Sequence, residues 1–127
     1  MANELILIVE DNPKNLKLVR DTLQVKGYQT IETETGEEGV RLARERQPAL
    51  ILMDIQLPGI SGIEALQRLR ADAGTRSIPV IAVTASVMAQ ERRKVMAAGF
   101  DGFQGKPISV RELLETVRQV LDKAPAG

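Results

Sequence analysis

The chain has 127 residues, 43% of them hydrophobic and 27% charged, and its 17 basic and 17 acidic side chains cancel, which suits one domain with a real core. Cysteine, histidine and tryptophan are absent, so thiolate and imidazole catalysis, disulfides and zinc sites built on nitrogen or sulfur are excluded, leaving carboxylates, lysine, hydroxyls and backbone to carry any chemistry. With two Phe, one Tyr and no basic excess there is neither the positive field nor the stacking surface of a nucleic-acid binder, and no apolar run approaches the roughly 18 residues of a membrane span.

In chain order, residues 5–9 are apolar throughout and predict a strand covered on both faces. They run straight into Glu10 and Asp11 rather than into a small-residue cleavage site, so no secretory leader is expected and the expected address is the cytoplasm. Asn12 followed by Pro13 is an N-cap with proline at the first helical position, opening a helix whose Leu16, Val19 and Leu23 share one face. Residues 28–33 alternate polar and apolar, as an edge strand does. Thr35 with Glu38 forms a capping box for a second helix, residues 49–53 form a second fully apolar strand, and Ser61 with Glu64 caps a third helix. Residues 79–83 are again apolar. Residues 86–98 carry Met88, Val95 and Met96 among Gln90, Glu91, Arg92, Arg93 and Lys94, a thin apolar stripe that predicts the least firmly docked helix. Residues 101–104 make a brief, mixed strand. Ser109 with Glu112, stapled by Ile108 and Leu113, opens a last helix burying Leu113, Val117, Val120 and Leu121. Residues 123–127 have no apolar anchor and are expected to be disordered. A single domain over 1–127, with its core over about 4–122, is the organisation this implies.

Five strand–helix alternations with right-handed crossovers predict an α/β, doubly wound, five-stranded parallel sheet. With strands two and five at the edges, the order is 2-1-3-4-5. Winding reverses between strands one and three, and ligands bind there, outside the carboxyl ends of the strands. That edge collects Glu10 and Asp11 after strand one, Asp54 after strand three, Thr84 after strand four and Lys106 after strand five. Three gathered carboxylates repel unless a cation intervenes, and an all-oxygen donor set selects a hard divalent ion, Mg²⁺ first. A carboxylate, hydroxyl and ammonium beside Mg²⁺ constitute phosphoryl-transfer equipment, with Asp54 the candidate nucleophile because Glu10 and Asp11 come as a pair suited to metal. Singly, each residue has a plainer reading: helix-cap material, turn chemistry before Leu57-Pro58-Gly59, a packed hydroxyl, a surface charge. Their conjunction at four of five strand ends does not.

These residues carry a resemblance. Val9-Glu10-Asp11-Asn12, Leu52-Met53-Asp54-Ile55-Gln56-Leu57-Pro58, Val83-Thr84-Ala85 and Lys106-Pro107-Ile108 resemble the motifs of bacterial response-regulator receiver domains, over essentially the whole chain and, in finer texture, those of single-domain regulators of the DivK type. The resemblance implies the flavodoxin-like receiver fold and a cytoplasmic two-component signalling role. Asp54 would accept a phosphoryl group from a phosphohistidine of a histidine kinase or histidine phosphotransfer protein. Asp11, Asp54 and the Gln56 backbone carbonyl would hold Mg²⁺, with Glu10 helping. Lys106 would contact the phosphoryl oxygens, and the Lys106-Pro107 bond would be cis. Thr84 and Phe103 would form the switch that remodels the face of helix four, strand five and helix five toward an effector protein. Such a receiver catalyses its own phosphorylation and dephosphorylation but is not an enzyme acting on a separate substrate. Gln56 and Ser86 occupy positions that tune phosphate lifetime in the family, and Gln104-Gly105 departs from the usual apolar and small pair, which predicts a looser strand five.

Three other readings are distinguishable. A phosphatase of haloacid-dehalogenase type shares the chemistry but places its nucleophile after the first strand, with a second acid two residues on, where this chain has Gln56 after Asp54. A flavin carrier on the same topology needs hydroxyls and amides where Glu10 and Asp11 would repel the phosphate. A phosphorylation-independent docking module has no use for a complete acidic site.

Overall fold

The computed structural model describes residues 3–85 and 88–123. Ten elements alternate along the chain: β1 (Leu5–Val9), α1 (Pro13–Val25), β2 (Gln29–Thr33), α2 (Gly36–Arg46), β3 (Leu50–Asp54), α3 (Gly62–Ala71), β4 (Val80–Thr84), α4 (Ala89–Ala97), β5 (Gly102–Gly105) and α5 (Val110–Lys123). The strands form one parallel sheet in the order β2-β1-β3-β4-β5, so the predicted edges and reversal point are where the sequence pattern puts them. β3 and β4 are buried at every position, whereas no residue of β2 is, the contrast between central and edge strands. Asp54 and Thr84 are the last residues of their strands rather than the residues after them, because the parallel ladder extends through the pairs Asp54–Val83 and Thr84–Gly105.

Strand alternation splits the core into two layers. Ile6, Ile8, Leu50, Leu52, Ile81 and Val83 pack with Val19 and Leu23 of α1 and Leu113, Val117 and Val120 of α5. Leu7, Val9, Ile51, Met53, Val80 and Ala82 pack with Val40 and Ala43 of α2, Ala65, Leu66 and Leu69 of α3, and Val95 of α4. The helices begin where their caps specify: the Asn12 side chain accepts from the N–H groups of Lys14 and Asn15, and Thr35, Ser61 and Ser109 accept from Glu38, Glu64 and Glu112. The carboxylates of Glu38 and Glu64 turn instead to Arg41 and Arg68.

α4 differs. Met88 at its N-cap supplies no side-chain hydrogen bond, and Val95 is its one buried residue. The predicted loosening of β5 is not seen in its ladder, which pairs with β4 over its whole length and continues into a bond from the Lys106 N–H to the Thr84 carbonyl. Gln104 is buried and its amide donates to the Gly105 carbonyl, so the polar side chain is satisfied within the strand end. Lys123 closes α5; residues 124–127 of the expected disordered tail, like Ser86, lie outside the described residues. Among the described residues no helix is long and apolar enough to cross a membrane.

Candidate functional site

The β1–β3 register pairs Ile8 with Leu52, and two residues further on, on the same face, stand Glu10 and Asp54. Both are 3% exposed. Burying two carboxylates side by side costs free energy unless each finds partners. Lys106, arriving from the end of β5, supplies them: its Nζ lies 2.9 Å from Asp54 Oδ2 and 3.0 Å from Glu10 Oε1. Backbone completes the set, since Asn12 N–H donates to Glu10 Oε2 at 3.1 Å and Gln56 N–H donates to Asp54 Oδ1 at 2.9 Å. The Glu10 N–H is itself held by the Thr33 carbonyl.

Asp11 is exposed beside this buried pair. One carboxylate oxygen from each of Glu10, Asp11 and Asp54 lies within 4.8 Å of the other two. This donor set fits a hard divalent cation: it is all oxygen, it has a solvent-facing member for entry, and with Lys106 it sums to −2. Without such a cation the crowding shows in protonation. Burial pushes the Glu10 carboxyl up to about 7, with the neighbouring Asp54 adding to the rise and the Asn12 N–H and Lys106 opposing it. For Lys106 burial pulls downward, but its bonds to Asp54 and Glu10 prevail and hold the ammonium above the usual lysine range.

The other sequence candidates fall around the cluster. Thr84 is buried at the end of β4, one strand from Asp54, and Gln56 is exposed, joined to Asp54 by its backbone. The Lys106–Pro107 peptide is cis. Phe103 pairs in register with Ala82 and packs, half-buried, on the α2–α3–α4 core layer, so it shares a sheet face with Thr84 two residues beyond Ala82. Gly62 is a positioning residue absent from the sequence reading: a Cβ there would stand 2.3 Å from the Asp54 carbonyl oxygen, so only glycine lets α3 start against the end of β3. Its signal was a glycine directly after the Ser61 cap.

This order of strand ends and chemistry is met in known proteins. Residues 6–118 match the response regulator receiver domain. The chain belongs to that family. The receiver aligns with the polar-differentiation response regulator DivK of Brucella ovis at 47% identity over 119 residues, 94% of this chain and 97% of that protein, and equally with DivK of Brucella anthropi. Among solved structures, the receiver domain of a sensor histidine kinase from Pseudomonas aeruginosa PAO1, with a magnesium ion coordinated in its active-site cleft, matches with a TM-score of 0.88 at 31% identity over 95% of this chain and 99% of that one. A CheY-like receiver protein from Methanospirillum hungatei gives 0.86 at 29% identity, with 96% of each chain covered. A receiver of two-component signalling, similar to DivK, leaves the phosphatase and flavin-carrier readings without support.

Proposed function

We propose that this receiver is a phosphorylation-activated switch of a two-component phosphorelay, with Asp54 as phosphoacceptor and a phosphohistidine of a histidine kinase or histidine phosphotransfer protein as donor. One observation carries the reading: Asp54 is a buried carboxylate paired with Lys106 at 2.9 Å and grouped with Glu10 and Asp11 inside 4.8 Å, in a chain of the receiver family. An Asp54 carboxylate oxygen forms the new P–O bond as the P–N bond breaks, and the electron pair leaves with the imidazole nitrogen. The Lys106 ammonium, already at Asp54, neutralises charge on the phosphoryl oxygens, and Thr84 on the adjacent strand end receives the group. Mg²⁺ held by Glu10, Asp11, Asp54 and the Gln56 backbone carbonyl would supply the remaining positive charge at those oxygens. Hydrolysis by water returns the Asp54 carboxylate and releases inorganic phosphate, with Gln56 two residues beyond Asp54.

Output follows from placing about one extra negative charge at Asp54. Thr84 moves toward it, Phe103 turns inward along the shared face, and the surface of α4, β5 and α5 changes for a protein effector. A shallow cleft of about 390 Å³ between α4 and α5, lined by Arg92, Phe103, Gln104, Glu112, Glu115 and Thr116, suits that contact. Intact-mass measurement after incubation with phosphoramidate tests the chemistry. One phosphoryl group is expected with Mg²⁺, none with chelator and none in Asp54→Asn; labelling of Asp54→Asn to the parent level would refute Asp54 as the acceptor.

A further inference from the structure

The two ends of α4 are held differently. Beyond its C-terminus, Arg70 of α3 bonds the carbonyls of Arg76 and Ile78, reaches the Gly99 carbonyl and ion-pairs with Asp101 at 2.8 Å, while the same Asp101 oxygen accepts from the Val80 N–H. That end is fastened to the start of β4. In the first turns of the helix, Arg93 bonds back to the Ala89 carbonyl of its own helix, and Arg92 crosses to β5, its guanidinium carbon 4.6 Å from the centre of the Phe103 ring. A cation over a ring face at this separation is an attractive contact, and it engages the ring in its half-buried surface position.

We infer that Arg92 is a latch on the switch: by stacking on Phe103 it stabilises the surface position of the ring and fastens the first turns of α4 to β5, so the ring's move toward Thr84 must first break this contact. The inference rests on the switch reading of Thr84 and Phe103 and adds a residue that sets its resting balance. Any contact present in one state only weights that state. A partly exposed cation–π contact is worth roughly a two- to fivefold change in the ratio of the two ring positions. The latch therefore holds down spontaneous activation, and phosphorylation releases it.

The full chain labelled with 4-fluorophenylalanine gives two resonances, from Phe100 and Phe103, and Phe103→Leu assigns them. Beryllium fluoride with Mg²⁺ serves as the activating probe. The Phe103 resonance of the parent is expected to move on activation. In unactivated Arg92→Ala it is expected to lie part-way along that path, by the stated two- to fivefold in population, while Arg92→Lys, which keeps a cation, stays nearer the parent. A Phe103 resonance identical in unactivated parent and Arg92→Ala, with the parent still responding to beryllium fluoride, overturns the latch and leaves the switch standing. A parent that does not respond at all overturns the switch reading and the latch with it.

Discussion

The carboxyl ends of the central strands and the helix α4 are built to opposite specifications. At the strand ends the buried charges are fixed: Lys106 spans Glu10 and Asp54, and backbone N–H groups of Asn12 and Gln56 donate to the carboxylates as well. α4 buries one side chain and lacks a side-chain cap. Group transfer depends on geometry held to fractions of an ångström, whereas a population shift requires two arrangements of similar free energy. Two helices on the same sheet are anchored unequally. α5 is fixed by Leu113, Val117 and Val120, and α4 is not comparably fixed.

Core truncations on the two helices give the largest expected contrast. Leu113→Ala removes a wholly buried side chain and is expected to cost ~3 kcal/mol in denaturant unfolding; Val95→Ala, with less to lose and an adjustable helix around it, about half of that. Equal losses would break the comparison. Gly62→Ala drives a methyl into the Asp54 carbonyl and is expected to cost ~2 kcal/mol, with phosphorylation by a small phosphodonor slowed as well; unchanged rate and stability would show that the α3 start does not position Asp54.

A third prediction concerns protonation. The folded-state Glu10 carboxyl is raised from 4.5 to about 7, so the folded protein holds more protons than the unfolded chain between those values. Its contribution is fully present below 4.5 and is lost as pH rises through 7. In chelator, stability should fall by ~1–2 kcal/mol between pH 5 and pH 8. Glu10→Gln should flatten that fall while weakening Mg²⁺ binding. A chelator pH profile identical in the two proteins would remove the cause assigned to the shift. The smallest effect is at the cap. Met88→Ser gives α4 the side-chain acceptor it lacks and should add ~0.5–1 kcal/mol locally, seen as slower amide exchange in α4 alone.

Much of this was legible in the sequence because it rests on local rules. The caps at Asn12, Thr35, Ser61 and Ser109, the apolar central strands and the alternating edge strand are properties of adjacent residues, and together they leave one strand order. The acidic cluster followed from that order. What was not legible rests on contacts across the fold. Glu10 and Asp11 read as a pair suited to holding metal, and the sequence does not show that strand alternation places Glu10 under Lys106 and leaves Asp11 at the surface. Asp54 and Thr84 read as residues after their strands, and partner strands extend the ladder to include them. The roles of Gly62, Arg70 and Arg92 depend on partners at sequence separations that no local pattern reports.

In the proposed switch, a fixed site drives a loosely held face. Hydrogen exchange read by peptide mass spectrometry, on the parent with Mg²⁺ before and after beryllium fluoride, tests it most directly. Changes in exchange are expected to concentrate in α4 and β5, with β1, β3 and the buried face of α5 unaltered. Changes spread evenly over the sheet, or confined to the strand ends with α4 untouched, would contradict it.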